Sequence, residues 1–228
     1  MNLKAILFDM DGTLTDSERY YTDGTYEWMK RFGYDDKIES LYPIIGTSMD
    51  VTYDILYDLL KGKLTRDEII YQNEHYFNVE NPINYQEYIF DEVYEVLHKL
   101  KEKGLKFAIC SSSYKKDIEE FLKCCKLDML FDVVISSHEC KNPKPSGEIY
   151  LKALKRLGLT NQEAIVVEDS AIGIRAGKNA DIFVVARKEE RFDIDQSEAD
   201  VLVSDLNDLY KLVGELNDEW FNNHKRWT

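Results

Sequence analysis

The chain has 228 residues, enough for one large α/β domain or for a core of ordinary size carrying a smaller inserted one. Apolar residues make up 44% and charged residues 32%, with 43 acidic against 29 basic side chains and a formal charge of −14. That field repels polyanions, so no nucleic acid is expected as a main partner, while a small phosphate ester held by local cations is compatible with it. No apolar run is long enough to span a bilayer, and Met1-Asn2-Leu3-Lys4 shows no signal-peptide core. A cytoplasmic protein without a membrane partner, monomeric or weakly oligomeric, is therefore expected. The cysteines Cys110, Cys124, Cys125 and Cys140 match no zinc spacing, and the vicinal pair is a poor disulfide candidate. They read as reduced, mostly buried thiols.

Taken in chain order, the first apolar run is Lys4 to Phe8, ending in Asp9. From Ser17 to about Tyr88 the pattern is helical, with segments at Tyr20 to Phe32, Val51 to Leu60 and Arg66 to Phe77. A further helix, Asp91 to Lys103, stops at Gly104. Short, uninterrupted runs then recur at Phe107 to Cys110, Val133 to Ile135, Ala164 to Val167 and Ile182 to Ala186, with Val201 to Val203 as a candidate sixth. They read as parallel strands covered on both faces. Amphipathic segments at Lys115 to Cys125, Gly147 to Leu157 and Ile172 to Asn179 separate them. The alternation predicts an α/β protein with a doubly wound parallel sheet. About a hundred residues between the first two strands far exceed a crossover. The expected organisation is a core of 1–16 and 89–228 with an inserted all-helical domain at 17–88. The segment Asn217 to Thr228, with Trp220, Phe221 and Trp227, reads either as a helix docked on the core or as an extension.

Four short stretches carry chemistry. Asp9-Met10-Asp11-Gly12-Thr13 places two acids and a glycine at the end of the first strand, where a doubly wound sheet binds ligands. Carboxylates gathered there repel one another unless a cation neutralises them, and Mg²⁺ suits oxygen donors. The bland reading is a polar turn. Glu168-Asp169-Ser170 repeats the pattern at a later strand end, either as a helix cap or as remote acids completing a metal site. Cys110-Ser111-Ser112-Ser113 opens a helix with hydroxyls and free backbone N–H groups, either an anion site or another cap. Lys144, between Pro143 and Pro145, is a lysine on a stiffened loop, a phosphate or phosphoaspartate ligand or simply a solvated side chain.

Together, in this order, these stretches resemble the four motifs of the haloacid dehalogenase superfamily: Asp9-x-Asp11-Gly12-Thr13, Ser111, Lys144 and Glu168-Asp169. Asp11-Gly12-Thr13-Leu14-x-Asp16-Ser17-Glu18 together with Glu168-Asp169-Ser170 is similar to the beta-phosphoglucomutase-like branch. The resemblance implies a helical cap after the first motif and phosphoryl transfer through an aspartyl phosphate. By position it implies Asp9 as nucleophile and Asp11 as acid/base. It makes Asp9, the Asp11 carbonyl, Asp169 and, directly or through water, Glu168 the ligands of Mg²⁺. Ser111, Lys144 and the backbone at Ser112 would bind phosphate, with Lys144 helping to keep Asp9 ionised.

Three departures shape the substrate expectation. Mutases of this branch carry a cap arginine for a second phosphate, where this chain reads Gly46-Thr47-Ser48-Met49. The histidine usual after the first motif is absent, with Tyr20 and Tyr21 in that region, and Phe90-Asp91 stands where Pro-Gly is expected. The cap is rich in aromatics that read mostly as helix-packing core. The resulting expectation is a Mg²⁺-dependent phosphatase for a small phosphorylated metabolite, a sugar phosphate among the candidates. A sugar phosphomutase is the alternative, followed by a catalytically idle binding module. A dehalogenase is weaker, because Asp11 and the metal acids favour phosphoryl transfer.

Overall fold

The computed structural model describes residues 2–45 and 49–224, with 217–224 as helical backbone alone. Six strands, β1 (Ala5–Phe8), β2 (Lys106–Ser111), β3 (Val133–Ser136), β4 (Ala164–Glu168), β5 (Phe183–Arg187) and β6 (Val201–Val203), form one sheet in the order β3-β2-β1-β4-β5-β6. Every pairing is parallel. β1, β2 and β4 carry almost unbroken apolar runs because both their faces are covered. β1 is the reversal point of the strand order, with β2 on one side and β4 on the other. A crevice opens at the carboxyl ends of the strands at such a point.

Residues Asp16–Tyr88 form a compact unit of their own, separate from the unit of Met1–Thr15 and Ile89–Thr228. This inserted unit is entirely helical among its described residues, with α1 (Ser17–Lys30), α2 (Met49–Leu59), α3 (Arg66–His75) and α4 (Tyr85–Tyr88). A 3₁₀ segment, Ile38–Ile44, and a π turn, Tyr76–Glu80, were not legible as such in the sequence. Its core gathers Trp28, Met29, Leu41, Tyr53, Leu56, Leu60, Ile69 and Tyr76. That accounts for many of its aromatics, whereas Tyr21, Tyr57 and Tyr71 are exposed. α3 starts cleanly because Thr65 caps it and Glu68 returns the bond to the Thr65 N–H. Gly46, Thr47 and Ser48 lie outside the described residues. Met49 opens α2 and is exposed.

In the larger unit the outgoing and returning chains pair at the join. Thr15 bridges Ile89, and the Phe90 N–H donates to the Leu14 carbonyl at 3.2 Å. The core helices are α5 (Val93–Glu102), α6 (Lys115–Cys124), α7 (Glu148–Leu157), α8 (Ala171–Asn179) and α9 (Leu206–His224). α7 and α8 pack Ile149, Tyr150, Ala153, Leu154 and Ile174 on a sheet face built from Ala5, Leu7, Ala108, Cys110, Val166 and Val184. Ile6, Phe8, Phe107 and Ile109 alternate with these and are buried as well. Phe8 and Phe107 meet edge to face at 5.4 Å. The segment read as either a docked helix or an extension continues α9 as far as His224, and α9 packs against α5. Trp227 lies outside the described residues. Among the described residues no helix is long and apolar enough to cross a membrane.

Candidate active site

The register of the sheet sets the site. Phe8 pairs with Val167 on one side and Ile109 on the other. The next residue, Asp9, anchors its N–H on the Val167 carbonyl at 2.9 Å. Asp9 and Glu168 therefore leave adjacent strands at the same height. Lys144 reaches both from the loop before α7, its Nζ 2.6 Å from Asp9 Oδ1 and 2.6 Å from Glu168 Oε1. All three side chains are buried, the lysine only 4% exposed. Glu148, in the first turn of α7, fixes that loop by accepting from the N–H groups of Lys141 (2.8 Å) and Asn142 (2.9 Å). Stiffness here comes from these bonds as well as from the prolines.

Asp169 completes the acidic cluster. Ligand oxygens of Asp9, Glu168 and Asp169 lie within 4.8 Å of one another. The cap reading of the Glu168-Asp169-Ser170 stretch holds at Ser170. Ser170 caps α8, accepting from the Gly173 N–H at 3.1 Å, while Asp169 faces the site and takes a 3.3 Å bond from Thr13 Oγ1. Gly12 makes that approach possible. Its φ is +78°, and a Cβ there would lie 2.0 Å from Asp169 Oδ2.

Asp11 is held from the β2 side. Ser113 Oγ donates to its Oδ2 at 2.7 Å and Ser111 Oγ at 3.4 Å, and Ser111 Oγ accepts the Ser113 N–H at 3.0 Å. The structure thus brings Asp9, Asp11, Ser111, Lys144, Glu168 and Asp169 into one region, while the Ser112 side chain is exposed. Sequence reasoning passed over three further residues. Ser113 stood in the serine run without a role. Tyr150 donates its hydroxyl to Glu168 Oε1 at 2.7 Å. Buried Gln196 donates to the carbonyls of Asp169 (2.6 Å) and Arg187 (2.7 Å), tying a loop to the end of β4. Tyr150 had the pattern of a core aromatic, and Gln196 sits in a loop without local signal.

The electrostatics differ from the expectation in one respect. Burial is the largest influence on Asp9. Lys144 pulls its pKa down as anticipated, but burial, aided by Glu168 and Asp11, pushes it up to about 8. Burial also works against the Lys144 ammonium, yet the carboxylates of Asp9 and Glu168 outweigh it and hold the lysine above its ordinary value. One ammonium is thus too little positive charge for this cluster. An all-oxygen donor set that lacks positive charge fits a hard dication such as Mg²⁺. The four cysteines are free, and burial pushes the Cys110 thiol up.

Crowding around Glu168 makes a stability prediction. A Cβ on Gly173 would lie 1.8 Å from Glu168 Oε1 and 2.2 Å from Oε2. The carboxylate is hydrogen-bonded on both oxygens and has nowhere to retreat. Gly173→Ala gains helix propensity but is expected to lower unfolding free energy by about 1–3 kcal/mol, the range for overpacking. Urea unfolding checks this; a stabilised variant would contradict it.

A parallel sheet with its order reversing at β1, acids at two adjoining strand ends, a lysine between them and serines opposite form a phosphoryl-transfer scaffold. The sequence profile described as Haloacid dehalogenase-like hydrolase matches residues 6–187, and the chain belongs to that family. It is an enzyme of the phosphoric ester hydrolase and mutase kind. It is 27% identical over 221 residues to a protein named pyrophosphatase PpaX from Bacillus cereus, covering 95% of this chain and 99% of that one. Among solved structures it resembles beta-phosphoglucomutase from Clostridium difficile, with a TM-score of 0.70, 24% identity and coverage of 96% and 99%. It also resembles a subfamily IA hydrolase from Geobacter sulfurreducens, with a TM-score of 0.72, 21% identity and coverage of 92% and 96%. These two structural likenesses speak to the fold.

Proposed function

We propose that the chain is a Mg²⁺-dependent phosphatase acting on a small phosphorylated metabolite through an aspartyl phosphate on Asp9. The observation that carries this reading is Lys144 bridging Asp9 and Glu168 at 2.6 Å each, beside Asp169, in a buried cluster. Asp9 attacks phosphorus, and the bond to the leaving oxygen breaks. Asp11 gives that oxygen its proton and then takes one from the water that hydrolyses the aspartyl phosphate. Lys144 and Ser111 hold phosphoryl oxygens, with the backbone at Ser112. Asp9, Asp169, the Asp11 carbonyl and, directly or through water, Glu168 would hold Mg²⁺. Bound there, the cation supplies charge stabilisation to the phosphoryl oxygens and shields Asp9 from their repulsion. In this reading the helical insert, 17–88, is the cap domain.

Water rather than a second sugar hydroxyl is the acceptor in this proposal, because Met49 carries no charge where a mutase places its arginine. Pyrophosphate is a second candidate substrate, favoured by the name of the Bacillus cereus relative. A phosphate-release screen over sugar phosphates, other metabolite esters and pyrophosphate tests both. Isomer formation from a hexose 1-phosphate with a bisphosphate primer, without phosphate release, would overturn the phosphatase reading. Asp11→Asn is expected to lower kcat by about 10²–10⁴-fold, the contribution of a placed acid/base, and to let phosphoenzyme accumulate. Rapid quench with radiolabelled substrate reads both effects, and unchanged kcat would remove Asp11 from its role.

A further inference from the structure

Glu168 is surrounded by donors. Its Oε1 accepts from Lys144 Nζ at 2.6 Å and from the Tyr150 hydroxyl at 2.7 Å. Its Oε2 accepts from the Asp169 N–H at 3.1 Å, the Ser170 N–H at 3.4 Å and Ser170 Oγ at 3.1 Å. A carboxylate offers about four lone-pair sites, so five donors saturate it. The side chain is fully buried, and the first turn of α8 at Gly173 walls it in. Turning either oxygen toward a cation would abandon hydrogen bonds in a dry site, where lost partners are the expensive kind.

Tyr150 is the unexpected member of this set. It is fully buried, and the Lys144 ammonium lies 5.3 Å from its ring centroid, so the residue touches the lysine with its face and the glutamate with its hydroxyl. It comes from α7, whereas Glu168 and Lys144 come from β4 and a loop. One side chain therefore fixes the mutual position of the other two. We infer that Tyr150 is a positioning residue that locks Glu168 onto Lys144, making Glu168 the anchor of the lysine and leaving the cation to Asp9 and Asp169. The lysine is then aimed at Asp9 by a rigid triangle rather than by its own flexible stem. The consequence for catalysis rests on the phosphatase reading above; the triangle itself does not.

The test uses Tyr150→Phe, which removes one oxygen, and Glu168→Gln, which keeps the volume of the acid. Lysine ammonium groups that are buried and hydrogen-bonded give ¹H–¹⁵N cross-peaks because their protons exchange slowly, and loss of one peak in Lys144→Met assigns it. The expected result is a slow Lys144 peak in the unaltered protein. Exchange should be about ten-fold faster in Tyr150→Phe, the worth of one hydrogen bond to a charged group, and at least as fast in Glu168→Gln. Mg²⁺ affinity of Tyr150→Phe, read by calorimetry without turnover, should stay within about three-fold. If Glu168 were a ligand, loss of its outer partner would weaken the metal about 10–100-fold. A purely structural tyrosine would lower thermal stability and leave Lys144 exchange unchanged. The inference falls if Lys144 gives no slow peak, if exchange is unchanged in both variants, or if Mg²⁺ affinity drops ten-fold or more in Tyr150→Phe. A chain that released phosphate from no substrate would sink the phosphatase reading, while these measurements would still judge the triangle.

Discussion

Asp9→Asn is expected to lower turnover on the order of 10⁴-fold or more, the scale seen when a nucleophile is removed from a preorganised site. Asparagine has nearly the same shape but a poorly nucleophilic side chain, so the covalent step is lost while Lys144 and Asp169 remain. The fold should survive. Asp9 is a buried carboxyl whose charged form is disfavoured by burial, and Lys144 keeps Glu168 as its partner. The melting temperature of the metal-free variant at pH 7 should therefore lie close to that of the parent. Phosphate release and mass spectrometry of the quenched protein check the claim together. A variant that keeps even a tenth of the activity, or that still carries phosphate after quenching, would overturn Asp9 as the nucleophile.

Stripping divalent cations should be nearly as severe, on the order of 10³-fold in rate, because the ion supplies several kcal/mol of charge stabilisation. Its pH dependence is the more diagnostic part. Burial pushes the Asp9 carboxyl up to about 8 in the metal-free protein, so below that pH a proton competes with the proposed cation for Asp9. Metal binding must displace that proton. Mg²⁺ affinity should rise as pH climbs from 6 toward 8 and level off above, with close to one proton released per ion near pH 7. Calorimetry in buffers of different ionisation enthalpy counts it. The sign for folding follows from the same shift. A raised carboxyl pKa contributes stability that is fully present below its ordinary value of 3.8 and lost as pH rises through about 8. The metal-free protein should thus lose this contribution across that window, and saturating Mg²⁺ should restore stability most at its upper end. A flat affinity between pH 6 and 8.5 would mean that Asp9 is already ionised and that Lys144 alone compensates it.

The sheet was readable because buried parallel strands leave a plain signature. Ala5–Phe8, Lys106–Ser111 and Ala164–Glu168 are apolar runs too short for helices. The motif acids were readable for a related reason: strand ends in such a sheet converge, so Asp9 and Glu168-Asp169 point to one place. What could not be read depends on helix rotation and loop path. Tyr150 stands in α7 at a spacing shared with Ile149, Ala153 and Leu154, and nothing local says that its hydroxyl meets an acid from β4. Gln196 and Ser113 likewise acquire partners only through tertiary contact. The ionisation of Asp9 was anticipated with the right sign for the lysine but without the larger influence of burial. Charge partners can be guessed from a motif, whereas desolvation depends on everything that closes around it.

The position of β1 has a consequence for synthesis. It precedes the other five strands of the sheet in the chain, yet it sits inside the sheet, hydrogen-bonded to strands that begin at Lys106 and Ala164. Until β2 is made neither edge of β1 has a partner, and until β4 follows one edge and the aspartate still lack theirs. The helical insert emerges next, contains its own apolar core and relies on near-neighbour contacts, so it can consolidate early. The proposed nucleophile is thus made before its partners, and the site closes around it only when the β4 segment arrives.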